Sequence, residues 1–216
     1  MSVANAYLGG VKRIHKLFVL DRREAVLARA IAAQLPPDAG SVLDVGCGDG
    51  IISEAIANTG RQVEGVEVHS RETCRVKYSL FDGRTLPFPD QSFDAVMLVD
   101  VLHHTDNIEE LLRECRRVAR RCIVIKDHTW SNRFDFLVLR FMDWVGNRSY
   151  GVRLIYNYQK KSQWQAIFRN IGVHVAKWDT RVGLYPFPFS LLFEHGKHFV
   201  TRLEPVDSAP GDRRES

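Results

Sequence analysis

The sequence predicts an α/β fold in which a mostly parallel sheet is doubly wound, with helices on both faces. Three observations point there. Val42 to Val45 read as a buried strand that empties into a glycine-rich turn and a helix. A second strand run, Gln62 to Val66, ends at the acid Glu67 about 20 residues after that turn. A third apolar run, Phe93 to Val99, leads into Asp100 and the pair His103-His104. Strands buried on both faces need no polar alternation, which is how parallel sheets read.

In chain order, residues 8 to 35 carry two apolar stripes at helical spacing, Val11, Ile14, Leu17 and Phe18, then Val26, Leu27, Ala30 and Ile31. Pro36-Pro37 stops this N-terminal helical region, 1–37. His15, Arg22 and Arg23 are candidates there to meet a substrate, and exposed helix residues are their plainer reading. In Val-Leu-Asp-Val-Gly-Cys-Gly-Asp-Gly, residues 42 to 50, the glycines at 46, 48 and 50 let backbone approach a ligand without Cβ interference. A helix from Ile51 to Asn58 then turns its free N–H groups toward the same place, and an acid at Glu67 suits a pair of ribose hydroxyls. That combination is the start of a Rossmann-like domain holding a nucleoside. Lys77 to Phe81 reads as a third strand, followed by Asp82-Gly83 and Leu86-Pro87-Phe88.

Taken together, acid-x-Gly-x-Gly-x-Gly, Asp-Gly-x-x-Leu-Pro-Phe, Phe-Asp-x-Val and His-His resemble the class I S-adenosylmethionine-dependent methyltransferases of the small-molecule type, over residues 40 to 127. The glycine spacing differs from the Gly-x-Gly-x-x-Gly of nicotinamide enzymes, and Gly-Lys-Ser/Thr of a P-loop is absent. The resemblance implies S-adenosyl-L-methionine as cofactor. It implies that Asp44 orients the methionine ammonium, that Gly46, Cys47, Gly48 and Gly50 line methionine and ribose, that Glu67 takes the ribose hydroxyls, and that Asp82 and Gly83 face the adenine. It also implies a seven-stranded sheet whose last strand is antiparallel, with Val173 to Trp178 and His198 to Leu203 as the closing pair.

Asn107 and Glu110 are spaced as a capping box before the stripe Ile108, Leu111, Leu112, Cys115 and Val118. Ile123 to Ile125 read as the fifth strand, and Ala119-Arg120-Arg121-Cys122 stand where relatives of this type carry a Pro-Gly-Gly turn. Residues 129–160 form an insertion. Phe134, Leu137, Val138, Phe141, Met142 and Val145 repeat at helical spacing, with Phe136, Leu139 and Trp144 around them, so this reads as a helical lid over the cleft. Gly146 to Gly151 break that helix, and Trp144 and Tyr150 are expected to face substrate. Tyr156-Asn157-Tyr158 lead into a helix with Trp164, Ile167 and Phe168. Two prolines make 185–189 a stiff apolar loop. The tail 205–216 is rich in Pro, Gly, Ser and charge and is expected to be disordered, leaving 1–204 as a single methyltransferase domain.

With 216 residues, 45% hydrophobic and 26% charged, the chain has the composition of an ordinary globular protein able to bury a core. No uninterrupted apolar stretch reaches about 18 residues, and Met1 to Asn5 lack the features of a signal peptide, so a cytoplasmic protein with no transmembrane segment is expected. The four cysteines, Cys47, Cys74, Cys115 and Cys122, form no Cys-x-x-Cys pair and have no neighbouring His at zinc spacing. Reduced thiols and no metal are expected. Net charge is +4. Arg113, Arg116, Arg117, Arg120 and Arg121 form the one concentrated basic stretch, which reads as a solvated helix face before a docking surface for an anionic partner.

Methyl transfer needs alignment and exclusion of water more than covalent help. A general base for an ionisable acceptor is sought among His104, Asp127 and His128, at the carboxyl ends of the fourth and fifth strands. The leading expectation is therefore methylation of a small, partly apolar or lipid-like acceptor. The rivals are an RNA or protein methyltransferase and a non-catalytic, S-adenosylmethionine-binding regulatory subunit. There is no strong nucleic-acid signal.

Overall fold

Four of the five residues of β1 (Ser41–Val45) are buried, because parallel partners on each side take its backbone groups. Those partners are β2 (Gln62–Glu67) and β4 (Phe93–Val99). The computed structural model describes residues 21–147, 154–194 and 196–206. With β3 (Tyr78–Leu80), β5 (Ala119–His128), β6 (Val173–Asp179) and β7 (His198–Pro205), the sheet has seven strands in the order β3-β2-β1-β4-β5-β7-β6. β1 to β5 run parallel, and β7 is antiparallel to both β5 and β6. The strand order reverses at β1 and β4, so a crevice opens there at the carboxyl edge, where α/β sheets take ligands.

Alternate residues of each strand feed two cores. Leu43, Val45, Val96, Leu98, Ile123 and Ile125 pack with α3 (Ile108–Val118) and with Trp164 and Phe168 of α5 (Lys161–Asn170). Val42, Ala95, Met97, Cys122 and Val124 pack on the other face with Ile31 of α1 (Asp21–Ala32) and Ile56 of α2 (Ile51–Ala57). Truncating a fully buried aromatic such as Trp164 or Phe168 costs about 3–5 kcal/mol. α4 (Arg133–Asn147) and the short α6 (Phe189–Phe193) complete the described helices.

Several boundaries depart from the sequence reading. α3 passes directly into β5 with no intervening turn, since Ala119 is already extended and pairs with Phe93. β5 is ten residues long and runs through His128, so Asp127 and His128 are strand residues rather than loop residues beyond a strand. Six consecutive pairs with β7, Ile123 to His128, hold it extended. β3 is shorter than predicted by a residue at each end. Of the capping box, Asn107 Oδ1 accepts the Glu110 N–H at 3.2 Å. β7 includes Pro205, one residue into the predicted tail, and Val206 N–H still reaches Gly172 O at 3.0 Å. The predicted stripe of Val11, Ile14, Leu17 and Phe18, His15, the break at Arg148 to Gly151 with Tyr150, and the tail from 207 lie outside the described residues.

Candidate active site

The turn after β1 is built as its glycines require. Gly46, Gly48 and Gly50 all have positive φ, 77°, 58° and 76°, a region that costs an L-residue strain. Gly46 and Cys47 donate to Val66 O at 2.8 and 3.2 Å, which ties the turn to the end of β2. A Cβ on Gly50 would stand 2.9 Å from Arg75 N, whereas one on Gly48 would meet nothing within 4 Å. The turn is therefore closed behind and open in front. Cys47 is buried behind it, its sulfur packed where any side chain on Gly65 would fall, and burial pushes its thiol pKa up, away from reactivity.

Asp44 and Glu67 flank this turn, both buried. Asp44 Oδ2 accepts from Ser53 Oγ at 2.5 Å, and Oδ1 is buried with no partner. Burial, opposed by the Ser53 bond and reinforced by the Glu67 charge, raises the Asp44 pKa to about 7. Glu67 Oε2 accepts the Gly48 N–H at 3.1 Å and pairs with Arg71 at 2.8 Å, while Oε1 accepts the Val68 N–H at 2.8 Å. Asp82 is exposed and uses Oδ1 to accept from Arg84 N and Thr85 N at 2.8 and 2.7 Å, with Gly83 at φ 80° making the turn. These contacts make Asp82 a turn residue first, and they depress its pKa.

A second group lies beside the turn. A Cβ on Gly46 would come within 2.6 Å of Val101 Cγ2, so the glycine turn abuts the residue that opens the 3-10 turn Leu102–His104. His103 is buried and shares Nδ1 with Asp127 Oδ1 at 2.7 Å. Asp127 is fully buried and also accepts from Leu102 N at 2.9 Å and His128 N at 2.7 Å. From α4, Asp143 Oδ1 stands 3.8 Å from His103 Nε2 and 3.6 Å from His104 Nε2. Tyr158 donates to Asp143 Oδ2 at 3.0 Å and stacks on His103, with ring centroids 5.3 Å apart. His128 stands edge-on to His103 at 4.7 Å. Asp100, strained at φ 58°, ion-pairs with the fully buried Lys126 and, at 2.5 Å, with Arg23 of α1.

The electrostatics follow from this packing. Burial opposes charge on His103, but the adjacent Asp127 carboxylate prevails and lifts its pKa to about 10. Burial would raise Asp127, but the His103 charge and hydrogen bond hold it far below the usual range. His128 is pushed down to about 4 by burial and by Lys126. His104 is lowered by burial and by the His103 charge. His103 is thus a cation locked to Asp127, and His104 and His128 are the neutral imidazoles at neutral pH.

The structure sets His104, Asp127 and His128 around His103, and separately gathers Asp44, Gly46, Cys47, Gly48, Gly50 and Glu67 around the turn. Asp127 is committed to His103 and two backbone N–H groups, which corrects its reading as an open base. Arg23 ties to Asp100, and Arg22 donates to Gly183 O at 3.3 Å. Sequence reasoning missed Asp100, Lys126, Asp143, Tyr158 and His198, whose ring lies 4.8 Å from that of His128. A lysine inside the apolar run Ile-Val-Ile-Lys was the one available signal, since a buried cation needs a buried anion. Trp144 is 45% exposed, and the buried residues of α4 among those described are Val138, Leu139 and Asp143, so α4 turns Asp143 rather than Trp144 toward the histidines. Four of the five clustered arginines are ion-paired: Arg113 with Glu109, Arg117 with Glu114 and Asp90, Arg120 with Asp94, and Arg121 with Asp38. No helix among the described residues is long and apolar enough to cross a membrane.

Residues 43–122 match the family described as a methyltransferase domain. A demethylmenaquinone methyltransferase of Tropheryma whipplei is 35% identical over 109 residues, which is 45% of this chain and 45% of that protein. The chain thus matches a little under half the length of that relative. Among solved structures, the putative methyltransferase from Haloferax volcanii in complex with the Trm112 activator covers 94% of this chain and 96% of its own at 18% identity and TM-score 0.66. Geranyl diphosphate methyltransferase in complex with S-adenosylmethionine covers 83% and 84% at 14% identity and TM-score 0.64. Residues 43–122 thus match a methyltransferase domain, and the sheet order and glycine turn give the chain the fold of the class I methyltransferases.

Proposed function

We propose that this chain transfers a methyl group from S-adenosylmethionine to a small, partly apolar acceptor, with residues 1–204 as one catalytic domain and 129–160 as its lid. The observation that carries the reading is the contact of Gly46 with Val101, which sets the open glycine turn directly against the His103-His104 turn. The residues fit the cofactor. Gly48 offers an open cradle, and Asp44 Oδ1 is a buried acceptor with no partner, suited to an ammonium. Gly46, Cys47, Gly48 and Gly50 would line the methionine and ribose, Glu67 would take the ribose hydroxyls, and Asp82 and Gly83 would flank the adenine.

When bound, S-adenosylmethionine supplies a methyl carbon on a positively charged sulfur, which an acceptor displaces directly. The chain's own part is to align and to keep water out. His104 and His128 are the proton acceptors this geometry favours, because both are neutral at physiological pH. His128, at about 4, is unprotonated near neutral pH but weakly basic, so it suits an acceptor that ionises readily. Asp127 positions them through His103 and the His128 N–H. A quinone-related or other apolar acceptor agrees with the matched demethylmenaquinone enzyme and with the apolar surface of the insertion. Neutralisation of the arginine face by acids weighs against RNA as substrate.

The test is transfer of labelled methyl from S-adenosylmethionine into a cell extract scored separately for lipid, small-molecule, RNA and protein fractions. Label in the first two supports the proposal. Label confined to RNA or protein, or none while the cofactor binds, would replace it with a macromolecular substrate or with a partner-dependent subunit.

A further inference from the structure

We propose that His103, His104 and Asp143 form a binding site for one divalent transition-metal ion, with Asp127 and Tyr158 as its supporting shell. Asp143 Oδ1 is 3.6 Å from His104 Nε2 and 3.8 Å from His103 Nε2, and the three atoms lie within 4.8 Å of one another. Nitrogen and oxygen ligands bound at about 2.0–2.2 Å stand roughly 3 to 4.2 Å apart, and Asp143 Oδ1 already lies in that range from both imidazole nitrogens. All three ligands are sheltered, with side chains 2%, 16% and 5% exposed.

The surroundings have the form such sites take. Metal-bound histidines usually give their other ring nitrogen to a carboxylate, which fixes the ring and its tautomer. His103 does so with Asp127 at 2.7 Å, and Asp127 is itself fixed by the Leu102 and His128 N–H groups; the ion would take the place of the proton on His103 Nε2, which binding releases. Tyr158 steadies the second oxygen of Asp143. A competing triad, Asp100, His103 and His128, also has converging atoms. Its carboxylate already carries the fixed cations Lys126 and Arg23, whose charge repels a dication.

Two imidazoles and one carboxylate suit borderline first-row ions and leave positions open, as at catalytic rather than structural sites. A metal there would hold an acceptor through its oxygen and lower the pKa of that oxygen. It would select phenol- or enol-like acceptors over amines. With His104 ligating, His128 is the remaining proton acceptor; this role rests on the methyltransferase reading, and the metal site itself does not.

The experiment is titration of the metal-stripped, full-length protein with Co²⁺, followed by its visible absorption, alongside calorimetry of S-adenosylmethionine binding to the same samples. One equivalent should bind. His104→Gln and Asp143→Asn should each weaken binding at least tenfold, Asp127→Asn by about 10- to 100-fold, and Asp100→Asn should leave it intact. Thermal melting without metal shows that each variant is folded. No absorption at millimolar Co²⁺, equal binding by His104→Gln, or loss in Asp100→Asn with retention in Asp143→Asn would overturn the proposal. Cofactor binding without Co²⁺ binding removes the metal and leaves the methyltransferase reading. Co²⁺ binding without cofactor binding does the reverse.

Discussion

At the scale of single residues, the two acids beside the glycine turn make separable predictions. Asp44 has a pKa of about 7 in the folded protein against 3.8 for an ordinary aspartate. Above about pH 4 the unfolded chain has released a proton that the native state still holds, so stability falls as pH rises from about 4 to about 7 and is level beyond. The effect is on the order of 4 kcal/mol. Asp44→Asn should flatten the dependence of urea midpoint on pH over that window; an unchanged slope would place its origin elsewhere. Binding of a cationic cofactor group should also expel the proton, which calorimetry at pH 7 in buffers of different ionisation enthalpy would register. Glu67→Ala removes the ribose acceptor of the proposed site. Loss of one charge-assisted hydrogen bond should weaken S-adenosylmethionine binding about ten- to a hundredfold. Both acids were legible from their place in the motif. The raised pKa of Asp44 was not, because it comes from burial within the folded sheet, with the Glu67 charge adding to it.

At the scale of elements, β5 carries buried charge. Lys126, Asp127 and His128 follow an apolar run in one strand, and pairing with β7 keeps all three extended. Lys126 is buried against Asp100. Removing one partner of such a pair is worse than removing both. Lys126→Met should therefore cost about 3 kcal/mol in chemical denaturation, and the double variant with Asp100→Asn should recover part of that. A double variant no more stable than the single one would show that Arg23 alone sustains Asp100. The insertion helix shows why amphipathic spacing did not assign its faces. Phe134, Leu137, Phe141 and Val145 remain exposed, while Val138, Leu139 and Asp143 turn inward. Apolar residues surround α4, and a polar one reaches the site.

At the scale of the whole molecule, charge is distributed rather than concentrated. The net +4 includes an arginine face whose members are mostly held by acids from α3, β4 and the loops beside them. A paired face releases few counterions from a polyanion. Changing Arg116 and Arg117 together to alanine should thus leave RNA affinity within about twofold and its salt dependence shallow. A steep salt slope abolished by that change would restore the nucleic-acid reading. Arg117 also donates to Leu86 O and Phe88 O, so this variant should lose thermal stability through the 86–90 loop even while RNA binding is indifferent.

The sequence by itself determined the sheet class, the glycine turn, the acid at the end of β2 and the approach of His104 and His128 to one edge. Each of these is a short-range consequence of strand, turn and helix preferences within a few tens of residues. Tertiary structure alone decided that Asp127 serves His103, that Lys126 and Arg23 share Asp100, and that Asp143 and Tyr158 come back from the insertion to face the histidines. Those contacts join residues about 15 to 77 positions apart, most of them on different elements. Packing sets such distances, and no local pattern encodes them.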